Sequence, residues 1–126
     1  MKKITLISTL ILLVSLTACT IKVGWVSINF GNRFSASYQH FNGKQVDRIR
    51  MKPGETLTLN YEIEVDKGAL SLQIINPQGD LIWKEKFLKN AESQFVFTAE
   101  TGGVYKVIVL GEQTGGSFKL DWVIEY

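Results

Sequence analysis

The run "TLTLNYEIEV", Thr56–Val65, decides the fold: Leu57, Leu59, Tyr61, Ile63 and Val65 fall on one side of a period of two, Thr58, Asn60, Glu62 and Glu64 on the other. Side chains alternate across a β-strand, so this is a half-buried strand with an apolar and a polar face. The same period extends in both directions. Upstream, Phe34, Ala36 and Tyr38 alternate with Arg33, Ser35, Ser37 and Gln39, and Asn42-Gly43 supplies turn chemistry before Lys44–Met51; Pro53-Gly54 then breaks the chain. Downstream, Asp66-Lys67-Gly68 reads as the close of the strand, and Leu70, Leu72 and Ile74 lead to the turn Asn76-Pro77-Gln78-Gly79-Asp80.

Leu81, Trp83 and Phe87 follow, then a polar loop, Lys89–Ser93, and a short strand with Phe95 and Phe97 that ends at Thr101-Gly102-Gly103. Tyr105, Val107 and Val109 carry the next strand, and Val104, Ile108 and Leu110 make its other face apolar too, which predicts a central position. Gly111–Gly116 reads as a turn into Phe118, Leu120, Trp122, Ile124 and Tyr126. No part of the chain after residue 19 sustains a helical period with caps. About eight strands with turn signals between them predict an all-β protein, an antiparallel, jelly-roll-like β-sandwich over residues 19–126.

Composition narrows the function. Lys2 and Lys3 account for two of the 14 basic residues, so the chain beyond them carries 12 against 12 acidic ones. That balance lacks the basic footprint of a nucleic-acid partner. One cysteine permits no internal disulfide, and one histidine permits none of the usual His/Cys zinc spacings, so no metal or other cofactor is expected.

The N-terminus has a different character. Lys2 and Lys3 precede an apolar run from Ile4 to about Leu16, diluted by Thr5, Ser8, Thr9 and Ser15, the layout of a secretory signal peptide. A spanning helix needs roughly 20 consecutive apolar residues for ~30 Å of hydrocarbon, more than this run offers. The run ends in Leu16-Thr17-Ala18-Cys19, which resembles the lipobox of bacterial lipoproteins. The resemblance implies cleavage between Ala18 and Cys19, a signal peptide over residues 1–18, acylation of Cys19 (palmitate-type chains among those used), and a lipid bilayer on the extracytoplasmic face as the partner. Two acyl chains at ~0.8 kcal/mol per buried CH₂ anchor a protein without a basic patch.

After Cys19 there is almost no leash. Ile21, Val23 and Trp25 are odd, whereas Val26, Ile28 and Phe30 are even, a parity slip that either a bulged or kinked strand or a Trp25 seated at the lipid interface accounts for.

The segments "VDRIRMKPGETLTLNYEIE" (Val46–Glu64), "LSLQIINPQGDLIW" (Leu70–Trp83) and "GGVYKVIVLGEQTGGSFKLDW" (Gly102–Trp122) together resemble the bacterial pre-peptidase C-terminal domain. The resemblance implies a non-catalytic accessory or binding module, with a carbohydrate or an envelope protein as ligand. No peptidase is attached here, so assistance to an enzyme is expected between separate chains.

The candidate chemistry is thin. His40 lies in Tyr38-Gln39-His40-Phe41-Asn42-Gly43 with no nucleophile elbow in the sequence, which makes a small hydrolase the weakest reading. Glu62 and Glu64, ~6.5–7 Å apart along a strand, overlap the spacing of glycosidase carboxylates, but alternation alone explains both. Asp66 and Asp80 sit in turns outside any dense calcium loop. Trp83 and Trp122 carry the apolar parity of their strands and are expected in the core, and a sugar platform built from Trp25, Trp83 and Trp122 is the less favoured reading. A membrane-anchored binding module is the leading expectation, and a structural or protective envelope component without a specific ligand is the alternative.

Overall fold

In a computed structural model, residues 20–126 are described and form seven strands: β1 (Ile21–Val23), β2 (Val26–Phe30), β3 (Arg33–Met51), β4 (Thr56–Ile75), β5 (Leu81–Phe87), β6 (Ala91–Thr98) and β7 (Gly103–Glu125). The expected signal peptide over residues 1–18 and the expected cleavage and acylation site at Ala18 and Cys19 lie outside the described residues. All pairings are antiparallel, and β7 lies between β3 and β4 along most of its length. Its two-sided apolar pattern follows from that place: Val107, Ile108 and Val109 are all buried.

The expected all-β sandwich is present, with seven strands rather than about eight: the 21–30 stretch divides into β1 and β2, and three expected turns are not turns, which joins the strands on either side of each. Asn42-Gly43, Asp66-Lys67-Gly68 and Gly111–Gly116 lie inside β3, β4 and β7, where the strands bend without stopping. Pairing registers shift at Tyr38–Gly43 in β3 and at Val65–Ala69 in β4, and both segments face the 111–116 segment of β7. The three bends align into one corner. There the sheet folds over, giving a first layer ordered β2-β3-β7-β4-β6 and a second ordered β3-β7-β4-β5. The loop expected at Lys89–Ser93 is shorter, since Ala91–Ser93 already pair with Ile63–Tyr61.

Inward parity switches at this corner in every long strand. In β3 the buried residues pass from Phe34, Ala36 and Tyr38 to Phe41, Ile49 and Met51. Leu57, Leu59, Tyr61 and Ile63 give way to Leu70, Leu72 and Ile74 in β4, as do Tyr105, Val107 and Val109 to Phe118, Leu120 and Trp122 in β7. A bulge adds an odd residue and reverses which neighbours point inward.

Glycine makes the bends possible. Gly116 has φ +138°, and a Cβ there would lie 2.0 Å from the carbonyl oxygen of Glu64; at Gly68, φ is +67° and a Cβ would meet the carbonyl oxygen of Gln113 at 2.3 Å. The turns at Pro53-Gly54 and Asn76–Asp80 are true turns. Asn76 Oδ1 accepts the backbone N–H groups of Gln78 at 3.1 Å and Asp80 at 2.8 Å, while Gly79 takes φ +89°.

Aromatic rings close the layers over each other. Trp83 of β5 stacks on Phe95 of β6 with centroids 4.6 Å apart, and Phe97 of β6 meets Tyr105 of β7 at 5.5 Å. The parity slip after Trp25 is a kink between β1 and β2, with Gly24 at φ +65°. Trp25 turns inward, half-buried, against Tyr38 at 5.5 Å, Phe41 at 5.1 Å and Phe118 at 6.2 Å, so the kinked strand, and not an interfacial Trp25, accounts for the slip.

The hydroxyl of Tyr38, like that of Thr114, is buried without a hydrogen-bond partner among the described residues. Burial first, and the Asp66 carboxylate second, push the Tyr38 phenol well above the ordinary value of 10. A buried unsatisfied donor costs ~1–3 kcal/mol, so Tyr38→Phe is expected to raise chemical-denaturation stability at neutral pH by about 1 kcal/mol. The raised phenol contributes stability that is present below pH 10 and is lost as pH climbs towards the folded value. Wild-type protein is therefore expected to lose stability above pH ~10 more steeply than Tyr38→Phe in a denaturation series at stepped pH.

Candidate ligand groove

The outer face of the first layer carries the polar side of Thr56–Val65. Pairing places Asn60 of β4 between Asp121 of β7 and Gln94 of β6, and Glu62 between Lys119 and Glu92. Because directly paired residues share a face, this makes two parallel rows of three polar side chains. Strands lie ~4.8 Å apart, and successive residues on one face lie ~6.5–7 Å apart, which fixes the spacing of this grid. The six side chains line a groove of about 540 Å³.

The groove has both donors and acceptors. Asn60 Nδ2 donates to Asp121 Oδ1 at 3.1 Å, which orients the amide and leaves its carbonyl oxygen free to accept. Gln94 adds a second amide and Lys119 an ammonium. Three carboxylates, Glu62, Glu92 and Asp121, stand against that one ammonium, so the groove is net acidic. Glu62 and Glu92 face each other directly, an arrangement that destabilises an antiparallel pair. A smaller trough of about 290 Å³ continues past Ser35, Ser37 and Ser117 to Val26 and Ile28, sharing Glu62 and Lys119 with the groove.

The candidate residues of the sequence are dispersed. Glu62 lies in the groove, and Glu64 two residues along the same face lines the adjoining trough. His40 is half-buried at the corner opposite Val23, and it has no hydrogen bond to a serine or a carboxylate among the described residues. Asp66 sits at the bend of β4 and Asp80 closes the Asn76 turn. Among the described residues, no three His, Cys, Asp or Glu side chains gather as metal ligands would. Trp122 is buried, and Trp25 and Trp83 pack on the core, so the groove contains no tryptophan.

Asn60, Glu92, Gln94, Lys119 and Asp121 were not singled out by the sequence. In a single chain each looks like an ordinary outward residue. Only the register that sets β6 and β7 on either side of β4 brings them together.

No family model matches the chain, and no curated protein matches it. Solved structures do resemble it. One is the PliG protein of Aeromonas hydrophila, a periplasmic inhibitor of g-type lysozyme, at 17% identity and a TM-score of 0.50 over 76% of this chain and 93% of that one. Another is the pre-peptidase C-terminal domain of a Bacillus anthracis collagenase, at 14% identity and 0.48 over 84% and 89%. A third is a carbohydrate-binding module of Cellvibrio mixtus lichenase 5A, solved with cellotriose, at 12% identity and 0.45 over 85% and 95%. At these identities the likeness is one of fold.

Proposed function

We propose that the chain is cleaved between Ala18 and Cys19, acylated at Cys19, and held on the extracytoplasmic face of a bacterial membrane, where its sandwich works as a non-catalytic module that binds a hydroxyl-rich ligand, a glycan in the first instance. The observation that carries the binding reading is the grid across β7, β4 and β6. Amide, carboxylate and ammonium groups at fixed strand spacing suit a ligand that presents many hydroxyls. The acidic balance favours neutral or amino-bearing glycans over phosphorylated ones. Support for the anchor comes from the order of the sequence alone, a charged start, an apolar run and Leu16-Thr17-Ala18-Cys19.

Binding is tested by titrating soluble neutral, amino-bearing and acidic envelope glycans into the protein. A hydrogen bond to a charged group contributes ~1.5–3 kcal/mol, so Asp121→Ala is expected to weaken binding roughly 10-fold or more. Glu92→Gln is expected to weaken it while raising stability by about 0.5 kcal/mol, because it removes the like-charge pair with Glu62. Binding that is unaffected by both changes, or absent for every glycan class, sinks this reading.

Cys19→Ala tests the anchor. In a bacterial host the variant is expected to retain its unprocessed mass and to lose the acyl mass increment found on the wild type. Identical masses, corrected for the substitution, would exclude acylation.

A further inference from the structure

We infer that the outward side of β1 and β2 rests on the bilayer surface and holds the sandwich edge-down against the membrane; this rests on the Cys19 anchor proposed above. The observation is a stripe of five apolar side chains, Ile21, Val23, Val26, Ile28 and Phe30, each between 48% and 80% exposed. Their register partners on β3 are Asn42, His40, Ser37, Ser35 and Arg33. The β3 residues that alternate with those partners, Phe34, Ala36, Tyr38 and Phe41, are buried, so all five apolar residues point away from the core. The kink at Gly24-Trp25 makes this possible, since without it Ile21 and Val23 would face opposite to Val26, Ile28 and Phe30. A continuous exposed apolar stripe on an edge strand is a contact surface, and β1 and β2 pair with β3 alone among the described residues.

The chain itself identifies the occupant. Thr20 alone separates Cys19 from β1. Two residues span at most about 7 Å, so acyl chains on Cys19 hold Ile21 within the depth of the headgroup region. From Ile21 to Phe30 the stripe extends roughly 30 Å at strand rise, long enough to lie along the surface. Tethering makes this docking intramolecular, so a weak patch is enough. Among the five register partners none is acidic and Arg33 carries the one full charge; Lys22 alternates to the other side of β1, over the Trp25 ring at 4.4 Å, and the carboxylates of that face, Asp121, Glu62 and Glu64, lie farther in on β7 and β4, the two glutamates in the trough that Val26 and Ile28 edge.

The test uses the full chain, expressed and processed in a bacterial host and reconstituted into phosphatidylethanolamine–phosphatidylglycerol vesicles. Cys19 is the sole cysteine, so with its sulfur acylated Ile28→Cys adds the one free thiol, and Gln94→Cys on β6 is the control. Each is labelled with a nitroxide, and its accessibility to oxygen and to a water-soluble nickel chelate is measured. The label at position 28 is expected to show an oxygen-to-nickel ratio several-fold above that at position 94. Equal ratios, with mass confirming acylation, overturn the edge-down contact and leave the anchor standing. If mass shows no acylation, the anchor fails, Cys19 takes up label as well, and the contact that rests on the anchor falls with it. Nickel protection without oxygen access, accompanied by spin–spin broadening at position 28, assigns the stripe to a second copy of the chain and overturns the membrane contact.

Discussion

Gly116→Ala is expected to lower stability by roughly 3–5 kcal/mol, the range reserved for strain and clash at a special backbone position. The added Cβ meets the Glu64 carbonyl oxygen at 2.0 Å, and that oxygen belongs to the backbone of the neighbouring strand, so no side-chain rotation relieves it. The residue also sits at φ +138°, where L side chains are strained. For a domain of this size ~1 kcal/mol moves the unfolding midpoint by about 4 °C, so thermal unfolding followed by circular dichroism is expected to show a drop of about 12–20 °C. Gly79→Ala is the comparison. It also replaces a glycine of positive φ, but with nothing within 4 Å of the new Cβ, so its cost is conformational alone and expected to be near 1 kcal/mol. Equal losses for the two would refute the close-approach account of the corner.

Phe118→Ala is expected to cost a similar ~3–5 kcal/mol by a different route. The side chain is 1% exposed, and its ring meets Phe34 edge-on at 5.1 Å, Tyr38 at 6.1 Å and Trp25 at 6.2 Å. Removing it opens a cavity where β7 leaves the corner and where Trp25 ties the β1–β2 kink to the core. Urea denaturation measures the loss, and the part of the tryptophan emission that Trp25→Phe removes reports it locally. Phe118→Leu, which retains most of the volume, is expected to lose well under half as much. A large loss of stability with no change in Trp25 emission would separate Phe118 from the kink.

The sequence made the strands legible because burial and alternation are local properties. Leu57–Val65 can be read without knowing any neighbour, and so can the central place of Tyr105–Leu110, whose two faces are both apolar. The corner was misread for a physical reason. Asn42-Gly43 and Asp66-Lys67-Gly68 have the chemistry of a hairpin turn, and glycine with positive φ serves a turn and a sheet bend equally well. The distinguishing signal was the parity switch, odd to even from Ile63 to Leu70 and again from Val109 to Phe118. A hairpin permits either parity on its return strand, so that signal constrains a bend only once pairing is known. The groove was less legible still. Glu62 was noticed for its spacing to Glu64 along the strand, whereas its neighbours in the groove, Lys119 and Glu92, lie across strands 57 and 30 positions away in sequence.

The shared corner also bears on how this chain can change in length over generations. In an ordinary sandwich each layer holds its own strands, and a one-residue insertion within a strand turns the remainder inside out. Here β3, β4 and β7 run through both layers and reverse their inward parity where they bend. Each bend already holds an irregular number of residues, so a further insertion at its margin, away from the close backbone approaches at Gly68 and Gly116, adds to a bulge without disturbing the registers on either side. The corner thus separates the two layers as units of descent: one can gain or lose a residue at its margin while the other retains its facing.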